Sequence, residues 1–98
     1  MSLFFQPTAA DKAKTPGDVV EVKKEETTTI AVANRSRVSL TLTNDSENTI
    51  YVFKGDGAAV GKGLRLNANG GAIVIDDYTG LVTAAAKTAK SNLCICEV

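Results

Sequence analysis

The 98-residue chain has no histidine and no tryptophan, and only two prolines, two cysteines and five aromatic side chains. Without histidine it lacks the commonest general base and the commonest metal ligand. Ser36, Ser39, Ser46 and Ser91 therefore have no partner for a serine–histidine triad. It also has no excess of charge, because eleven basic and eleven acidic residues give a formal net charge of zero. A neutral chain lacks the long-range field that gathers nucleic acid or anionic membrane. Lys12, Lys14, Lys23 and Lys24 are interleaved with Asp11, Glu21, Glu25 and Glu26, the pattern of a solvated surface. No apolar run approaches the length of a membrane span. Met1 to Pro7 has only three consecutive apolar residues and no positive flank, so no signal peptide is expected there. Neither nucleic acid nor membrane is therefore an expected partner.

The two cysteines, Cys94 and Cys96, alternate with Ile95. In a strand this spacing puts both thiols on one face, a poor geometry for a disulfide. A zinc site needs about four ligands, and the sequence has no second pair. The expectation is two small buried apolar side chains, reduced, in a protein folded in a reducing cytoplasm.

What is present is β texture with an arm in front. Residues 1–17 hold both prolines, Pro7 and Pro16, and show no strand alternation. The arm's tip carries Leu3, Phe4 and Phe5, whereas a solvated tail normally lacks aromatics. Burying three such side chains contributes on the order of 5–8 kcal/mol. Ordering the arm costs about 1–2 kcal/mol per residue. One arm alone would hold weakly and several on one oligomer would hold well. Leu3, Phe4, Phe5 and Pro7 are accordingly the candidate partner-binding residues, docking on a neighbouring subunit or folding back on their own domain.

Residues 18–98 read as one β domain. Strands are expected over 18–23, 27–33, 38–43, 49–54, 64–66, 72–75, 81–86 and 92–98, separated by turn residues. Strand 38–43 alternates most clearly, with Val38, Leu40 and Leu42 toward a core, and is expected to form a hairpin with 49–54. The alanines of 83–90 are compatible with a helix, but turn signals on both sides favour strand–turn–strand. The whole predicts an all-β antiparallel sandwich or small barrel of seven or eight short strands. Strands 49–54, 72–75 and 92–98 are apolar on both faces. Tyr51, Phe53, Ile73 and Ile75 are therefore expected on outer faces covered by a symmetric neighbour, in a homo-oligomer, here taken as a trimer.

Residues 48–80 hold seven of the eight glycines. Gly57-Ala-Ala-Val-Gly-Lys-Gly63 falls short of a phosphate loop: only three residues precede Gly61-Lys62, and Gly63 stands where a hydroxyl is needed. Asp76 and Asp77 are adjacent, so on a strand they diverge, and they read as part of a turn. No cofactor, metal site or catalytic set is expected.

The order of the runs Ile50-Tyr-Val-Phe-Lys-Gly-Asp-Gly57, Gly61-Lys-Gly-Leu-Arg-Leu-Asn-Ala-Asn-Gly-Gly71, Ile75-Asp-Asp-Tyr-Thr-Gly-Leu-Val-Thr-Ala84 and Leu93-Cys-Ile-Cys-Glu-Val98 resembles small bacteriophage virion structural proteins. The similarity covers about residues 38–98 and lies in turns and strands. It implies a non-enzymatic capsid decoration (cement) protein, or else a small tail or fibre component. The implied partner is a major capsid protein or another virion protein, and the implied location is the virion, assembled in the bacterial host cytoplasm. A carbohydrate-binding module is the alternative, using loops 55–63 and 67–71 with Tyr51 or Tyr78 as a stacking platform.

Overall fold

The computed structural model describes residues 18–98, so the arm at 1–17, with Leu3, Phe4, Phe5 and Pro7, lies outside the described residues. Eight strands run in chain order: β1 (Asp18–Val22), β2 (Thr28–Ala31), β3 (Leu40–Asn44), β4 (Ile50–Lys54), β5 (Leu64–Leu66), β6 (Ala72–Ile75), β7 (Val82–Ala86) and β8 (Ser91–Glu97). There is no helix among the described residues. The stretch 83–90 is strand, turn, strand, as its flanking turn residues indicate.

The strands form two antiparallel sheets, ordered β1-β8-β3-β6 and β2-β7-β4-β5. The pairs β4/β5, β3/β6, β2/β7 and β1/β8 nest outward from the centre of the chain. One long hairpin, rolled up, produces this order, and the architecture is an eight-stranded jelly roll. The expected hairpin between strands 38–43 and 49–54 is thereby corrected, because β3 and β4 belong to opposite sheets. The reason lies at the corner. Position 44 keeps the inward phase of Leu40 and Leu42, so Asn44 is buried and its amide gathers the turning chain.

Alternation sets the core. Val22, Leu40, Leu42, Ile75, Leu93 and Ile95 point in from one sheet, and Ile30, Ile50, Val52, Leu66, Val82, Ala84 and Ala86 from the other. Leu40 and Leu42 lie where the pattern puts them. Val38 does not: it precedes the strand and is exposed, while its N–H donates to the Val98 carbonyl at 2.7 Å.

The glycine-rich connection between β4 and β5 is tied to its own sheet. Thr83 points away from the core yet is fully buried. Its hydroxyl donates to the Gly55 carbonyl at 2.6 Å and accepts from the Ala58 N–H at 3.2 Å. The Thr27 hydroxyl donates to the Ala58 carbonyl at 2.8 Å, which seats Ala58 over the sheet. Gly63 ends this loop at φ 85°, and a Cβ there would collide with the Val52 carbonyl. Gly61 has the same φ but open space around it. Gly63→Ala should therefore destabilise the fold by more than the about 1–2 kcal/mol of left-handed strain that Gly61→Ala incurs. Urea melts of the two variants check the order, and equal losses would contradict it.

Candidate functional site

The first sheet turns an unusual outer surface to solvent. Cross-strand register aligns Val19, Cys94, Thr43 and Ala72 in one row and Cys96, Thr41 and Val74 in the next. None of the seven is charged, on a chain that is 22% charged overall. Val19 is 59% and Val74 57% exposed, two of the larger apolar exposures in the domain. Burying these rows would lose no hydrated charge, the usual obstacle to forming a protein contact. Cys94 and Cys96 share this face as their spacing requires. They are free and half-exposed rather than buried, because their strand is covered on one side only.

The structure separates the four residues expected at an oligomer surface. Ile75 is in the core and Ile73 packs against it. Ile75 pairs with Leu40 and Ile73 with Leu42, and both leucines face in. The face assignment for β6 is thus reversed: Ala72 and Val74 point out. Phe53 is exposed and Tyr51 half-buried, on the outer face of the second sheet. Tyr78 packs on the core, with its hydroxyl over Gly80.

At one end of the sandwich lies an open polar cleft, lined among others by Glu21, Asp45, Glu47, Asn69, Lys90 and Asn92. No aromatic side chain lines it. Its groups are partly paired with each other: Lys90 lies 3.6 Å from Glu21, and the Asn48 side-chain amide donates to the Ser91 hydroxyl at 3.3 Å. Loop 67–71 contributes Asn69 to it and loop 55–63 contributes nothing. Tyr51 and Tyr78 line it no more than that loop does, so the structure does not bring together the elements of a stacking platform. Among the described residues no group of three or more His, Cys, Asp or Glu is placed to hold a metal ion. No helix among them is long and apolar enough to cross a membrane.

Sequence reasoning missed Arg37. Its guanidinium is fully buried beside Glu97, with Nε donating to Oε2 at 2.8 Å. Nη1 donates to the carbonyls of Gly80 at 2.9 Å and Tyr78 at 3.3 Å, and Nη2 to that of Val32 at 2.7 Å. This one side chain ties two loops and the last strand together beside the slot between the sheets. No protein family, curated protein or solved structure was found to match the chain.

Proposed function

We propose that this chain is a non-enzymatic structural protein of a phage particle, acting as a capsid decoration protein. The jelly-roll body associates with copies of itself, as a trimer, and sits on the shell. Residues 1–17 reach from each body onto neighbouring coat subunits, with Leu3, Phe4, Phe5 and Pro7 making the contact. The observation that carries the reading is the pair of uncharged rows on the outer face of β1-β8-β3-β6, with Val19 and Val74 at opposite edges and Glu21 flanking them. A body with a surface suited to a protein partner and an apolar-tipped arm leaving from β1 is built for assembly. The sequence resemblance points the same way. The jelly roll itself serves both viral shells and lectins, so the fold does not choose between them. The polar cleft, with no aromatic platform, gives the carbohydrate-binding alternative little to use.

The test is co-sedimentation with purified virions of the source phage stripped of this protein. The full chain is expected to pellet with the particles. The chain lacking residues 1–17 is expected to stay in the supernatant while retaining its β-sheet circular dichroism. Normal decoration by the truncated chain would overturn the clamp.

A further inference from the structure

Between the two sheets, on the edge formed by β1 and β2, an apolar slot of about 200 Å³ opens to the surface. Leu40, Ile30 and Ile95 form its depth, Val20, Ala31 and Val32 line it nearer the surface, and the Arg37-paired Glu97 is its one charged wall. It exists because β1 and β2 are the edge strands of separate sheets, with no ladder joining them. The register of β2 shifts between Thr29 and Ala31, and the chain then leaves the sheet with Val32 70% exposed. A dry apolar cavity of about 150 Å³ accepts a benzene molecule, so this slot has room for one phenyl ring.

We infer that the slot is a docking site for the chain's own N-terminal segment, filled by the ring of Phe4 or Phe5. Three observations lead there. The only run of three large apolar residues in 1–17 is Leu3-Phe4-Phe5, and the third phenylalanine, Phe53, sits on the outer face of the other sheet. The first described residue, Asp18, pairs with Ile95, which lines the slot, so the segment is rooted at the slot's own edge. Twelve residues lie between Phe5 and Asp18, and the thirteen steps reach up to roughly 43 Å, against about 10 Å between packed sheets. A linker this short holds the tip near its own slot at an effective concentration of about millimolar, above that of neighbouring copies in a dilute solution. The free chain thus keeps its apolar tip covered. The inference does not depend on the virion reading.

The absence of tryptophan makes the test direct. In the full-length chain, Phe4→Trp and Phe5→Trp each introduce a single reporter. At one of the two positions, emission should be blue-shifted and acrylamide quenching severalfold weaker than for a solvent-exposed indole, unchanged on dilution. Val32→Glu, at an exposed position, and Ala31→Phe, which fills the slot, should each restore quenching while the β-sheet spectrum persists. Full exposure at both reporter positions would overturn the inference. Protection that disappears on dilution would place the ring in another copy and overturn it as well. Protection that survives both slot variants would put the ring elsewhere, with the same consequence.

Discussion

Arg37→Met should cost about 3–5 kcal/mol of folding stability. A domain of this size has about 5–15 kcal/mol in total, so a loss of this size takes a large share of it. The side chain is fully buried and supplies donors to four acceptors: the Glu97 carboxylate and the carbonyls of Val32, Tyr78 and Gly80. Methionine keeps an unbranched apolar stem but ends short of the guanidinium and supplies no donor. Three carbonyls are then left without this partner, and the Glu97 carboxylate, 19% exposed, loses its counter-charge. Each deficit carries a desolvation cost, and the carboxylate's is the largest. Arg37→Lys restores one point charge without the planar fork and should recover only part of the loss. Glu97→Gln should cost less than Arg37→Met, since the guanidinium keeps its three carbonyls and a neutral acceptor. In thermal melts, Arg37→Met should lower the midpoint by about 12 °C or more, taking roughly 4 °C per kcal/mol. A loss below about 1 kcal/mol, the level of an exposed ion pair, would show that the network is incidental.

Asn44→Asp should be the second large effect, with a pH dependence absent from the parent. The Asn44 amide nitrogen lies 2.7 Å from the Asn48 carbonyl, 3.0 Å from that of Leu66 and 3.1 Å from that of Asn67. Its side-chain oxygen accepts from the Ser46 hydroxyl at 2.6 Å. An aspartate would present an ionised oxygen to three carbonyl oxygens at a fully buried site. The protonated acid can still donate once, so the folded state would hold the proton more tightly than the unfolded chain. The folded pKa is thus raised above the unfolded value of about 3.9. With a raised pKa, the variant is closest to the parent below about pH 4 and loses stability as pH rises toward the folded value. The loss should be as steep as about 1.4 kcal/mol per pH unit. Denaturant melts of both proteins across this range provide the check. A difference between them that does not change with pH would contradict the assigned role of Asn44 at the corner.

These two residues also mark where reading the sequence stops. Strand positions were legible because turn residues bracket them: Leu64–Leu66 and Ala72–Ile75 fall where the pattern puts them. Inward faces were legible where one face is polar, as for Leu40 and Leu42 between threonines. In Ala72-Ile-Val-Ile75 both phases are apolar, and only pairing with β3 decides that Ile73 and Ile75 turn in. Strand partners were not legible, because alternation fixes a face and not a neighbour. The jelly roll follows from six pairings, five of them between strands that are not consecutive in the chain. Asn44 left a signal, since it continues the phase of Leu40 and Leu42. Arg37 left none: an arginine after a turn reads as surface, and its burial depends on Glu97, sixty residues away in sequence. The uncharged rows were half visible. The sequence pointed to apolar outer surfaces, and the cross-strand register then replaced Ile73 and Ile75 with Val19, Val74 and the two cysteines.

The claim that this face brings copies together is tested most directly by light scattering on the full chain at micromolar concentration. The account predicts a mass near three times that of the 10.2 kDa chain. It also predicts collapse to the monomer in Val74→Lys, whose exposed position leaves the β-sheet spectrum of the body intact. A full chain that stays monomeric at tens of micromolar, or an oligomer that survives Val19→Lys and Val74→Lys together, would contradict it.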